Sequence, residues 1–464
     1  MTTSDSPLAI VGVGASAGGV EALEGFFQGM PPHPGLAFIV VTHLAPDRES
    51  LLHEIIARYT DLTVAVAEDG AEVRPNCVYV LPADAVITVS SGHLELRSSS
   101  NGRRERKPID ILFSSLAIDQ GECAASVVLS GGDGDGTLGT KAIKERGGMT
   151  LAQIADGHGP RHPSMPNSAI ATGFVDFALP AHEMGAKLAE FARMLTEAGE
   201  DQQSEAQRAE ARGQICALLR NQVGHDFSGY KSKTFFRRIQ RRMQVIQAPT
   251  LDAYVKKLTE DPAEVGALFR DLLINVTNFF RDADAFAMLA EIVIPKLFEG
   301  RGANDSVRVW VPGCATGEEV YSIAILLREH MDTLTAVPQV HVFATDIDDL
   351  ALSVARAGRY PEALLDSVSP ERRARFFIPD GGSFVLTKEV RDLCIFSPHS
   401  VIRDPPFSRL DLISCRNLLI YFGVDIQNVV LPTFHYALRQ GGYLFLVMSE
   451  SVGKFGDLFT ALDK

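Results

Sequence analysis

From Leu8 to about Pro180, short apolar runs alternate with longer segments whose apolar residues recur every three or four positions. The runs LAIVGVG, LAFIVVTH, CVYVLP, AVITVS, HLELR, ASVVLS and FVDFALP are rich in Val, Ile and Phe and end at Gly, Pro or Asp, which predicts strands. Strands alternating with helical patterns predict a mostly parallel sheet with helices on both faces, plus a hairpin near residues 78–97. The pattern changes at Ala181. The stretch AHEMGAKLAEFARMLTEAGEDQQSEAQRAEARGQ loses its apolar stripe in its second half and reads as a closing helix followed by a polar linker, or else as one continuous helix. Residues 213–300 carry only helical periodicity. Strand–helix alternation then resumes, with VRVWVPG, VHVFATD, LDLISC and GGYLFLVMSE as strands.

The fold class is therefore α/β: two doubly wound domains with a small all-helical domain between them. Residues 1–182 form the first, 183–212 a helical linker, 213–300 the helical domain and 301–464 the second α/β domain. The two α/β halves share no motif, so the chain is not an internal repeat.

Composition narrows the function classes. The 464 residues are 46% hydrophobic and 22% charged, and the longest apolar runs are far too short to span a bilayer. The N-terminus MTTSDSPLAI lacks the basic region of a signal peptide. Six cysteines without a C-x-x-C pair argue against a metal knuckle or a disulfide framework and fit a reducing cytoplasm. A net charge of −14 disfavours nucleic acid as a partner. One segment runs against that charge: KSKTFFRRIQRR, Lys231 to Arg242, holds six basic residues and no acid. Arg237/Arg241 and Arg238/Arg242 are i,i+4 pairs and form one basic flank of a helix, which fits an acidic protein partner, a solvated face or a nucleic-acid patch.

The first chemical question lies in IVGVGASAGGVEAL. Gly12, Gly14 and Gly18 come within one residue of a dinucleotide fingerprint, but that fingerprint needs an acid at the end of the next strand to hold ribose. The next strand ends in His43, a poor ribose acceptor and a good general base. Ser16 follows the first strand, and ASVVLS runs into GGDGDG with Asp133 and Asp135. Serine, histidine and aspartate at three strand ends make a candidate nucleophile, base and orienting acid. The plainer reading is a serine in a turn and an ordinary histidine. The segments GVGASAGG, VTHLAP, LSGGDGDGTLG and PSMPNSAIATGFVD resemble the catalytic domain of the chemotaxis methylesterase CheB, over about residues 7–190. That resemblance implies Ser16 as nucleophile, His43 as base and Asp135 as orienting acid. Ala17 and Gly132 depart from the family, which often has a hydroxyl residue and Met there. The receiver domain that usually precedes this enzyme is absent from the sequence.

In the second half, VRVWVPGCATGEEVYS is a strand, a Gly turn and a helix opened by Glu318 and Glu319, which would repel phosphate. The following strand ends in Asp346, placed to accept from ribose hydroxyls. A nucleoside with a positive centre, S-adenosylmethionine, fits both features; an ordinary strand–turn–helix is the alternative. The segments GCATGEEVYS, TDID, CRNLLIY and TNFFRD resemble the chemotaxis receptor methyltransferase CheR, over about residues 213–464. The resemblance implies that Asn275, Thr277, Arg281, Glu319, Asp346, Ser400, Val401, Arg416 and Asn417 surround S-adenosylmethionine. It puts Arg281 and Tyr421 nearest the transferred methyl, and it gives the basic helix a substrate-facing role. The chain stops at FGDLFTALDK, before the last strand such folds usually have.

The combined expectation is a cytoplasmic bifunctional enzyme without a metal. It hydrolyses glutamate methyl esters and methylates glutamate with S-adenosylmethionine, acting on glutamate-rich cytoplasmic helices of chemoreceptors or related sensory proteins, with neither nucleic acid nor membrane insertion. The alternative is a regulatory binding module of a sensory pathway.

Overall fold

Where Val, Ile and Phe runs are buried on both faces, the chain forms parallel strands. In a computed structural model, residues 8–43, 51–83, 85–98, 107–157, 159–200, 205–273, 277–447 and 450–462 are described. They fall into two units, residues 1–210 with 239–254, and residues 211–238 with 255–464.

The first unit contains β1 (Ile10–Ala15), β2 (Ala37–Thr42), β3 (Thr63–Val66), β4 (Cys77–Val80), β5 (Ala85–Ser90), β6 (His93–Ser98), β7 (Ala124–Val128), β8 (Met149–Gln153) and β9 (Phe177–Leu179). Seven of them make one parallel sheet in the order β3-β4-β2-β1-β7-β8-β9. The hairpin is β5–β6, and β4, expected within it, joins the main sheet. Strands β3 and β8 were not expected. Two apolar layers sandwich the sheet. Val11, Val13 and Phe38 pack with Phe26 and Phe27 on one face; Ile10, Ile39 and Val128 pack with Ile109 and Phe113 on the other. Each such fully buried side chain contributes about 1.5–3 kcal/mol of transfer free energy.

Within the 181–214 stretch, residues 181–200 and 205–214 are helical. The helices described there are Ala181–Glu200 and Glu205–Val223. In the latter, Ala211, Ile215, Cys216 and Leu219 recur at helical spacing and are buried, although residues 205–210 before them are all exposed.

In the second unit, short helices precede a five-stranded sheet. Asp261 caps the helix Pro262–Leu272 by accepting from the Ala263 N–H at 3.0 Å, with proline at the first helical position. The chain then forms β10 (Ser306–Pro312), β11 (Gln339–Asp346), β12 (Arg359–Pro361), β13 (Phe377–Asp380), β14 (Ser383–Leu386), β15 (Cys394–Pro398), β16 (Leu410–Ser414) and β17 (Leu438–Phe445). The main sheet is parallel with order β15-β11-β10-β16-β17, while β12-β14-β13 form a small antiparallel sheet. Trp310 lies fully buried in β10 and donates its indole N–H to Thr345 Oγ1 at 2.9 Å, so the buried donor is satisfied.

Candidate functional site

In the first sheet β1 is flanked by β2 and β7, so the strand order reverses at its carboxyl end. A crevice opens at such a switch point. Ser16 follows β1 and His43 follows β2, with the Ser16 N–H bonded to the Ser130 carbonyl at 2.8 Å and the His43 N–H to the Ala15 carbonyl at 3.3 Å. These backbone bonds bring the side chains together. Ser16 Oγ lies 3.1 Å from His43 Nδ1, and His43 Nε2 lies 2.9 Å from Asp135 Oδ2. With Asp135 accepting the Nε2 proton, Nδ1 presents its lone pair to Ser16, the arrangement a general base requires.

Asp135 is held with little freedom. Its side chain has no exposure; Oδ2 also accepts from the Ile109 N–H at 3.0 Å, and Oδ1 accepts from Asp110 at 2.9 Å and Gly136 at 2.8 Å. Ile109 and Asp110 open the helix Pro108–Gln120, whose first N–H groups have no partner within the helix. The carboxylate therefore also satisfies a distant helix terminus. Gly14 makes the approach possible: a Cβ there would stand 2.4 Å from Ile109 Cγ2. The space above Gly132 is open.

Ser130 was not singled out by motif. Its Oγ donates to the Ala17 carbonyl at 2.9 Å and accepts from the His162 N–H at 3.0 Å, while its own N–H donates to buried Gln153 Oε1 at 3.0 Å. It thus ties the serine turn to the loop before Ser164. Asp133 is half-exposed; Oδ1 accepts from the Asp135 N–H at 3.0 Å, and Oδ2 stands 3.6 Å from His43 Nδ1.

The second sheet repeats the device. β10 lies between β11 and β16, and its carboxyl end is again the switch point. Thr277, Arg281, Glu319, Asp346, Ser400, Val401, Arg416, Asn417 and Tyr421 line one cavity there, open to solvent, with about 950 Å³ of space including its solvent-filled mouth. Asn275 lies outside the described residues. Asp346 Oδ2 accepts from the Ala315 N–H at 2.8 Å and Oδ1 from the Asp348 N–H at 3.0 Å. Burial nevertheless outweighs these bonds and pushes its pKa up to about 6. Glu319 Oε1 accepts from Ser414 Oγ at 2.7 Å, and Arg416 faces Oε2 at 3.4 Å; burial raises this carboxyl too, against the pull of Arg416 and Ser414.

Arg416 is more enclosed than a simple ligand contact implies. Its side chain has no exposure, its guanidinium lies against the rings of Phe286 and Phe445, and Nη2 donates to the Arg281 carbonyl at 2.8 Å and to Asp282 at 2.6 Å. It therefore anchors the turn that carries Arg281. That turn has left-handed backbone at Phe280 (φ 49°) and Asp282 (φ 62°), and the Phe280 N–H is captured by Ser322 Oγ at 2.9 Å. Such conformations cost about 1–3 kcal/mol each and persist where surrounding structure enforces them.

Two further residues were missed. Tyr230 lines the cavity from the helical region, because 229–231 pair with 421–423 and its ring packs on Phe422 at 5.4 Å. Glu450 accepts from the N–H groups of Asn417 at 3.1 Å and Ile420 at 3.3 Å, fixing Asn417 in the left-handed region at φ 57°. No spacing rule links either residue to the strand-end motifs.

The basic flank departs from expectation. Arg241 is 4% exposed and pairs with Asp176, while Arg238 is 2% exposed. Lys144 also pairs with Asp176, at 2.5 Å, and the two cations hold its carboxyl well below the usual range although burial alone would raise it. Two of the four arginines are thus withdrawn from the solvated face.

Two open α/β units, each gathering ionisable groups at its switch point, define a doubly wound protein of the ligand-crevice class. Comparison with known proteins specifies it further. Residues 11–188 match CheB methylesterase, residues 212–273 match the all-alpha domain of CheR methyltransferase, and residues 275–464 match its SAM binding domain. The chain belongs to these two families, joined in one polypeptide. It is 37% identical to an uncharacterized 104.1 kDa protein of Rhodobacter capsulatus over 88% of this chain and 45% of that one, so it spans less than half of that relative. It is 32% identical to the chemotaxis protein methyltransferase of Salmonella typhimurium, over 51% of this chain and 82% of that protein. A solved CheB methylesterase catalytic domain from Thermotoga maritima aligns at 29% identity and TM-score 0.36, covering 39% of this chain and 98% of that one. Among the described residues, no helix is long and apolar enough to cross a membrane.

Proposed function

We propose that this chain both removes and installs methyl groups on glutamate side chains of chemoreceptors or related sensory proteins. The observation that carries the first activity is the relay from Ser16 Oγ through His43 to Asp135, at 3.1 and 2.9 Å. His43 Nδ1 takes the Ser16 proton as Oγ attacks the ester carbonyl, then returns it to the methoxide oxygen, which leaves as methanol. Water, deprotonated by the same nitrogen, opens the acyl-serine. His43 returns that proton to Ser16 Oγ, and the carboxylic acid formed loses its own proton to solvent, so glutamate is released as carboxylate and the serine is regenerated.

For the second activity, the cavity chemistry fits S-adenosylmethionine. Buried Asp346 has lone pairs left to accept ribose hydroxyls, and the carboxylates of Asp346 and Glu319 favour a cation over a phosphate. Bound there, S-adenosylmethionine supplies a sulfonium-activated methyl group. Arg281 orients the acceptor carboxylate by a bidentate contact, Tyr421 stands beside it, and Arg416 holds the Arg281 turn in place. The acceptor is already ionised at neutral pH, so positioning is the main requirement.

Tritium from labelled S-adenosylmethionine should appear on a chemoreceptor signalling domain and be lost in Asp346→Ala. Methanol release from the methylated receptor should vanish in Ser16→Ala. Methanol release that persists in Ser16→Ala would overturn the esterase assignment. Tight S-adenosylmethionine binding without transfer to any receptor would overturn the transferase assignment.

A further inference from the structure

We propose that Asp133 is a specificity-determining residue of the esterase site, which lets it take a neutral ester and reject the carboxylate it produces. The inference rests on the reading that Ser16 hydrolyses glutamate esters.

Among the described residues, two carboxylates address one imidazole, in different ways. Asp135 is buried, bonds Nε2 at 2.9 Å and is fixed by three backbone N–H groups. It suffices to orient the ring. Asp133 lies on the other side, 3.6 Å from Nδ1, beyond hydrogen-bond range. Its side chain is 54% exposed, so its charge faces the side from which a substrate arrives. Its position is not arbitrary, because Oδ1 is anchored by the Asp135 N–H at 3.0 Å. Its neighbours Gly132 and Gly134 bring no side chain to screen it, and the space above Gly132 is open.

The anchored charge stands close to the reacting atom. Ser16 Oγ and Asp133 Oδ2 lie 3.1 and 3.6 Å from one ring nitrogen, so they are no more than about 7 Å apart. The ester carries no charge on the group entering that space, whereas the product carries a full negative charge on it. A fixed anion is indifferent to the first and repels the second. With the solvent screening that half-exposure implies, repulsion over this distance amounts to roughly a threefold to tenfold loss of carboxylate affinity at low ionic strength. The consequence is particular to a chain that also methylates. An unmethylated glutamate is the acceptor for one site and the product of the other, and Asp133 keeps it from occupying the esterase site.

The test uses the full chain and a matched pair of inhibitors of ester hydrolysis: N-acetylglutamate α-amide, which carries the product carboxylate, and N-acetylglutamine α-amide, its neutral isostere. With N-acetylglutamate γ-methyl ester α-amide as substrate, the neutral isostere should inhibit the wild type roughly threefold to tenfold more tightly than the carboxylate. Asp133→Asn should bring the two inhibition constants together, Asp133→Glu should restore the gap, and high salt should close it in the wild type. The ratio does not depend on the absolute rate of any variant, so it separates charge selection from a role in orienting His43. Equal inhibition in the wild type, or a ratio unchanged in Asp133→Asn, would overturn the proposal. Ester turnover that survives in Ser16→Ala would overturn the underlying esterase reading, and this inference with it.

Discussion

Asp346 offers the sharpest test of the second site. Both of its oxygens are committed to backbone N–H groups, of Ala315 and Asp348, yet burial pushes its pKa from 3.8 up to about 6. A displacement of that size corresponds to about 3 kcal/mol favouring the protonated form in the folded, unliganded unit. The folded pKa lies above the unfolded one. The stability linked to this proton is therefore fully present below about pH 3.8 and is lost as pH rises through about 6. At pH 7.5 the empty site thus holds a costly anion. Ribose hydroxyls donating to it would relieve that cost, each charge-assisted bond contributing about 1.5–3 kcal/mol. Asp346→Asn keeps one acceptor oxygen and turns the other into a donor facing a backbone N–H. Calorimetric titration with S-adenosylhomocysteine at pH 7.5 should show affinity reduced by about 3 kcal/mol, roughly two orders of magnitude. In the wild type the affinity should be level above pH 7 and fall as pH drops through 6; in the variant that fall should be absent. Thermal unfolding of the unliganded variant at pH 7.5 should shift little, because relief of the buried charge offsets the lost N–H bond. Equal affinity of the two proteins, or the same pH profile in both, would refute the reasoning.

Two further outcomes test the first site. Asp135→Asn should lower kcat for ester hydrolysis by about three to four orders of magnitude with methyl transfer intact, because the amide no longer enforces the tautomer that leaves Nδ1 free for Ser16; steady-state methanol release measures it. Gly14→Ala forces a Cβ to 2.4 Å from Ile109 Cγ2 and should destabilise the first unit by about 1–3 kcal/mol in urea unfolding, with slower ester hydrolysis as the Ile109 N–H leaves Asp135. A Gly14→Ala protein as stable and active as the wild type would contradict that packing.

The parts legible in the sequence were those in which one short segment carries both a fold signal and a chemical one. Ser16, His43, Asp346 and Arg416 each follow or end an apolar run, and a strand end in a parallel sheet is where reactive groups collect. Strand β3 was missed because TVAV is mostly exposed at the sheet edge and shows no alternation. Strand β8 was missed because MTLAQ spends two of its five buried positions on polar residues, Thr150 and Gln153, whose partners lie far along the chain. Ser130, Tyr230 and Glu450 escaped for the same reason: each acts through a bond to a backbone group or ring that only the folded chain brings near. The polar stretch before Ala211 gave no stripe to read, since its helix turns its apolar side inward only from that residue onward.

The two glycine turns look alike in sequence, and the residues that open the helix behind each differ. Gly18 and Gly317 both adopt left-handed backbone, at φ 70° and 95°, and both cap the helix that follows the central strand. In the first turn the next residues are Gly19 and Val20, and the strand end before them presents Ser16 to a histidine. In the second the helix opens with Glu318 and Glu319, both buried, so its N-terminal positive pole is already met by carboxylates. A helix start left bare would welcome an anion; one that carries its own buried acids presents negative potential to the crevice and turns a phosphate away. The same left-handed glycine thus follows the central strand in both units, with Gly19 and Val20 opening one helix and the buried Glu318 and Glu319 opening the other.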